Sequence, residues 1–170
     1  MRRLYWFQND LRLADNPGLT AAAEGDQLLL LYLRPRQRPW CHQHSLGPQR
    51  ERFLVECVRA LREELAAFGQ ELLVLDGSPE LVIPQLVEQL RIDRVDMTRT
   101  PGAYEDAAVA RLQRTLPIPV QVHQANTLFA ERSLPFPLAA LPPQFTPFRR
   151  AVEAVAPLAP LPVPATLPPP

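Results

Sequence analysis

The opening of the chain, Leu4-Tyr-Trp-Phe-Gln-Asn-Asp-Leu-Arg-Leu-Ala-Asp-Asn-Pro-Gly-Leu19, constrains the fold more than any other stretch. A short apolar run, Leu4 to Phe7, gives way abruptly to polar and charged residues. Asp15-Asn16-Pro17 then opens a small-residue stretch, Leu19 to Ala23. Asp or Asn at the N-cap with Pro at the first helical position is a good helix start. The segment reads as strand, charged loop, helix. In an open α/β sheet the loop after the first strand lies at the carboxyl edge, where ligands bind. Asn9, Asp10 and Arg12 occupy that loop.

The same rhythm continues. Gln27 to Leu33 is apolar on both faces, as a buried parallel strand should be. Arg34-Pro-Arg-Gln-Arg-Pro39 cannot extend it, so residues 34 to 47 form a loop. Gln49 to Phe68 repeats apolar residues at helical spacing, with Phe53, Leu54, Cys57, Leu61, Leu65 and Phe68 expected inward and Gly69 as the stop. Leu72 to Leu75 is a third strand. Ser78-Pro79 then starts a helix to Leu90, expected to bury Leu81, Val82, Leu86 and Leu90. Arg94 to Met97 is a fourth strand. Tyr104 to Leu116 is a helix expected to turn Ala107, Ala108, Leu112 and Leu116 inward, and Val120 to His123 is a fifth strand. Strands alternating with helices predict a parallel sheet covered on both faces, with right-handed crossovers.

After Leu116 the character changes. Fourteen of the 21 prolines lie from Pro117 onward. Residues 1 to 124 read as the α/β unit, 125 to 156 as an irregular extension with a short helix near Phe148, Val152 and Val155, and 157 to 170 as a proline-rich linker or tail. The 18 basic residues, all Arg, balance 18 acidic ones, which gives no global electrostatic case for nucleic-acid binding. Cys41-His42-Gln43-His44 resembles part of a metal site, but no second ligand cluster follows where a structural zinc needs about four ligands. The residues read instead as a polar loop. No apolar run reaches the ~20 residues of a membrane span, and no signal peptide precedes the first strand, so a cytoplasmic location is expected.

The opening segment resembles the start of the DNA photolyase/cryptochrome family, W-F-R-x-D-L-R-L-x-D-N-x-A-L, with Gln8 where the family usually has Arg. Further blocks are similar to the family's: Arg50-Glu-Arg-Phe-Leu-Val-Glu56, Leu72-Leu-Val-Leu-Asp-Gly-Ser-Pro-Glu80, and Leu141-Pro-Pro-Gln-Phe-Thr-Pro-Phe-Arg-Arg-Ala-Val-Glu153. The last block looks most like the DASH cryptochromes. The resemblance implies a Rossmann-like five-stranded sheet in order 3-2-1-4-5. It also implies a larger C-terminal helical domain, beyond these residues, which holds FAD and receives damaged DNA. The parent protein would be a blue-light photo-lyase that splits pyrimidine dimers, while residues 1 to 170 alone would not be catalytic. A light-signalling cryptochrome and a free-standing α/β ligand-binding or interaction domain are the alternatives.

The resemblance also implies a place for an antenna chromophore at the carboxyl edge. Its expected walls are residues 7 to 12, 34 to 40, Arg50 and 98 to 102. Asn9, Asp10, Arg12, Arg34, Arg50, Arg99 and Thr100 are the candidate contacts. Asp10 and Arg12 are equally readable as a local ion pair, Arg50 as a solvated helix start, and Asp15 and Asn16 as caps. Four arginines favour an anionic or carbonyl-rich planar ring. Thr100 stands where many members carry the acid that bonds folate, so flavin, deazaflavin or lumazine is expected ahead of folate. No metal site is expected. The 125–155 surface, which would face the helical domain, is a candidate homodimer contact.

Overall fold

The computed structural model describes residues 1–34 and 46–170. The Cys41-His42-Gln43-His44 cluster and most of the 34–40 wall lie outside the described residues. Five strands form one parallel sheet: β1 (Arg2–Phe7), β2 (Gln27–Arg34), β3 (Leu72–Asp76), β4 (Arg94–Thr98) and β5 (Val120–His123). Their order is β3-β2-β1-β4-β5. Trp6 sits between Leu31 on β2 and Met97 on β4, at the centre of the sheet. Four helices make the crossovers: α1 (Pro17–Ala22), α2 (Pro48–Ala66), α3 (Pro79–Leu90) and α4 (Ala103–Thr115).

Alternate side chains of each strand feed two cores, as the pleat requires. Leu4, Trp6, Leu31, Leu33, Val95 and Met97 meet Ile83 and Val87 of α3 and Leu112 of α4. Tyr5, Phe7, Leu28, Leu30 and Tyr32 meet Leu19 and Ala22 of α1 and Leu61 and Leu65 of α2. α1 approaches β1 closely because Gly18 permits it. A Cβ there would lie 2.7 Å from the Tyr5 ring and 2.9 Å from Thr98 Oγ1. Gly69 closes the turn after α2 at φ +67, a conformation that glycine adopts freely.

Several expected inward residues point out. Phe53 is 62% exposed, since only the later turns of α2 lie over the sheet. Nineteen helical residues extend about 28 Å, whereas the five residues of β3 span about 16 Å, so the start of α2 overhangs. On α3 the inward stripe is Ile83 and Val87, flanked by Val82 and Leu86, and Leu81 and Leu90 face solvent. On α4 Leu112 is buried and Val109 packs beside it, while Ala107 is exposed.

Beyond β5 come two 3₁₀ turns (Glu131–Ser133 and Leu138–Ala140) and α5 (Phe145–Val152). The tail after them is docked rather than trailing. Leu28 N–H donates to Pro169 O at 2.9 Å, the Gln70 amide donates to Pro168 O, and Leu167 joins the second core. Among the described residues no helix is long and apolar enough to cross a membrane.

Candidate functional site

The loop after β1 is set from below by a buried polar network. The Tyr5 hydroxyl donates to the Asp10 carboxylate and lies 2.8 Å from both Asn16 Oδ1 and Thr98 Oγ1. Asp10 also accepts from Gln8 N–H at 2.9 Å. Asn16 caps α1 by accepting from Leu19 N–H at 3.0 Å. Burial, reinforced by the Asp10 charge and hydrogen bond, pushes the Tyr5 phenol far above its ordinary range. Asp10 is thus turned inward, 1% exposed, and Arg12 does not pair with it. Arg12 instead donates to Asp15 O and Asn126 Oδ1. Asp15 is not the helix cap; it holds φ +49 and engages Leu161 of the tail.

Above this network, at the carboxyl edge, lies a cleft of about 610 Å³. That is a usual size for a cofactor-sized ligand. Among the described residues it is lined by the ends of β1 (Trp6, Phe7), the loop residues Gln8 and Asn9, and Tyr32 to Arg34 of β2. Leu46 just before α2, Arg50 and Leu54 of α2, Gly77 to Pro79, and Tyr104, Glu105 and Ala108 of α4 complete it. Three of the seven candidate contacts therefore meet here: Asn9, Arg34 and Arg50. Arg34 is ion-paired with Asp76. Arg50, also in the lining, has no ion-pair partner among the described residues.

The others lie elsewhere. Arg99 pairs with Asp106 at 3.1 Å and its N–H bonds His123 O, which turns the 98–102 loop away from the cleft. Thr100 is not among the lining residues, and its hydroxyl is buried without a partner. Sequence reasoning missed Tyr104 and Glu105. The sequence marks Tyr104 only as the first residue of a helix and gives Glu105 no signal of its own. The signal was their position at the start of the helix that follows β4, because helix starts face the carboxyl edge of a parallel sheet. The Glu105 carboxylate folds against Gly102, where a Cβ would collide with it.

A doubly wound parallel sheet with a ligand-sized cleft at its switch point defines a Rossmann-like binding domain. The match to the DNA photolyase family model spans residues 3–168, and the chain belongs to that family as its N-terminal α/β domain. It is 40% identical over 98% of its length to a cryptochrome DASH of Gloeobacter violaceus, covering 35% of that protein. It is 36% identical over 97% of its length to a deoxyribodipyrimidine photo-lyase of Thermus thermophilus, covering 36% of it. A solved cryptochrome from Synechocystis sp. PCC6803 superposes with a TM-score of 0.91 at 30% identity, over 99% of this chain and 37% of that one. The chain thus spans about a third of the length of these relatives.

Proposed function

We propose that this domain is the chromophore-holding part of a flavin-dependent, blue-light photolyase or DASH-type cryptochrome. The carrying observation is the cleft itself, lined by Glu105 and by Arg50, which has no ion-pair partner among the described residues. A planar ring in the cleft would turn a carbonyl or anionic group toward Arg50. Glu105 gives a ring N–H an acceptor from the other wall. Thr100, the residue that counts against folate in the sequence, does not line the cleft. Glu105 restores the missing carboxylate, so the geometry favours flavin, deazaflavin, lumazine or pterin as a class. When bound, such a group would collect light, and the residues here would bind and orient it.

FAD, DNA and the splitting of pyrimidine dimers belong, in this reading, to the helical portion that makes up the rest of the relatives. A dimer would be flipped from the duplex to reach it, at a cost of a few kcal/mol that damage lowers. The 170-residue chain purified alone is expected to carry no stoichiometric FAD and to leave dimers intact under illumination. The decisive experiment for the cleft is titration with riboflavin, a deazaflavin, a lumazine and a reduced folate, followed by fluorescence. Arg50→Ala should weaken binding by about 1.5–3 kcal/mol if it bonds a charged group. Binding unaffected by both Arg50→Ala and Glu105→Gln would refute the assignment.

A further inference from the structure

We propose that Arg12 is a clasp holding residues 127–160 as one hinged arm on the sheet body, and so a positioning residue for the face that arm presents. The chain leaves the body at Asn126, just after β5, and returns to it at Leu161. Both points converge on Arg12 and Asp15. The Arg12 guanidinium donates to Asn126 Oδ1 at 3.2 Å and, through two nitrogens, to Asp15 O at 3.2 and 2.9 Å. Asp15 N–H donates to Leu161 O at 2.8 Å, and Leu161 N–H returns to Asp15 Oδ1 at 3.3 Å. Asn126 in turn donates to Arg99 O at 3.3 Å.

The backbone at the clasp is unusual in a consistent way. Asp15 and Asn126 hold φ +49 and +64, and Arg91 is the one other non-glycine with positive φ among the described residues. Asp and Asn tolerate that region better than other residues. One guanidinium therefore ties together two positions of positive φ. Its planar fork makes three donations in fixed directions, which an ammonium cannot reproduce.

Between those points the arm carries a small aromatic contact of its own. Phe136 and Phe148 meet edge to face at 6.1 Å, Phe145 lies 6.4 Å from Phe148, and Val152 is 5% exposed. No residue from 127 to 160 belongs to either sheet core. A segment outside both sheet cores, joined to the body through polar contacts at its ends, opens as a unit when the joint is released. The Arg12 side chain is 37% exposed, so water competes for the joint and the clasp is releasable.

Hydrogen exchange by peptide on the 170-residue chain tests this. Arg12→Ala should speed exchange in peptides from 127–160 about ten-fold, leaving β1, β2 and β4 unchanged. Arg12→Lys should not rescue it. Asn126→Gly keeps the positive φ, removes one contact and should give a smaller gain confined to the same peptides. That variant carries the test if Arg12→Ala fails to fold. Unchanged exchange in the arm, or arm and strands accelerating together, would overturn the clasp.

Discussion

The sheet body and the 125–170 extension are held by different forces. In the body, Leu4, Leu28, Leu30, Leu31, Leu65, Val95 and Met97 are all fully shielded from water, and each contributes burial energy to one of the two sheet cores. In the extension, Leu128 and Phe145 are 69% and 74% exposed, and the links to the body are hydrogen bonds at Asp15, Asn126, Leu28 and Gln70 together with the packing of Leu167 on the second core. A net hydrogen bond contributes about 1 kcal/mol, and burying a large apolar side chain about 1.5–3. The body therefore carries the stability of the molecule, and the extension carries its adaptable surface.

The sharpest way to break this contrast is a pair of truncations to alanine. Leu30→Ala should destabilise the chain by about 2–5 kcal/mol, read as a lower denaturation midpoint. Phe145→Ala should stay within about 0.5 kcal/mol. If Phe145→Ala proves as costly, the extension has a core contact that its exposure does not show. The same variant serves the homodimer proposal: sedimentation should show weak self-association of the parent chain, reduced by Phe145→Ala. A clean monomer at high concentration would end that proposal.

Tyr5→Phe probes the boundary between body and loop. It removes the hydroxyl and leaves the buried Asp10 carboxylate with fewer donors, at an expected cost of about 1–3 kcal/mol. The raised phenol also carries a sign. Stability from the neutral hydroxyl is complete below the unfolded-state value near pH 10 and falls as pH rises beyond it. Tyr5→Phe should flatten that alkaline decline in denaturation midpoints. A decline that persists unchanged would place its origin elsewhere.

Much of the body was readable from the chain because its signals are local. Apolar runs gave the strands, Ser78-Pro79 and Asn16-Pro17 gave helix starts, and the β-α rhythm with the family motifs gave the sheet order. Asn16 makes the cap bond, whereas Ser78 holds the N-cap position without a side-chain bond. Helix faces were less legible. Leu81 and Leu90 fit an apolar stripe, but the register of α3 against the sheet turned Ile83 and Val87 inward. The cleft was half legible. Arg34 and Arg50 are fixed by where β2 ends and α2 begins. Arg12, Arg99 and Asp10 were diverted by partners distant in sequence or hidden under the loop: Asn126, Asp106 and Tyr5. The tail looked like a linker because proline denies it a ladder, yet its carbonyls still accept from Leu28 and Gln70.

Removing that tail should have a smaller effect than Leu30→Ala. A chain ending at Pro160 loses the Leu161, Pro168 and Pro169 contacts and the packing of Leu167. An expected loss of about 2 kcal/mol follows from a few hydrogen bonds and one half-buried side chain. No change in denaturation midpoint would mean that the tail only rests on the body.

The smallest expected effect lies at the β4–β5 edge, where body meets extension. Asp96 is completely buried, accepts two hydrogen bonds from Arg94 at 2.8 Å, and lies 2.9 Å from His123 Nε2. Burial pushes its carboxyl up, but the His123 and Arg94 hydrogen bonds and charges outweigh burial and hold it below the usual range. A carboxyl depressed in the folded state stabilises above its unfolded value, near pH 3.9, and loses that contribution as pH falls through the folded one. The body should therefore weaken below about pH 4. His123→Ala should shrink that acid-side slope and remove a correspondingly small part of the neutral-pH stability, because Arg94 still pairs with Asp96. The comparison is made on denaturation midpoints between pH 2 and 7. If the slope is identical in His123→Ala, Arg94 alone holds Asp96. If neutral-pH stability collapses instead, His123 is part of the body's core packing rather than the outer member of an ion network.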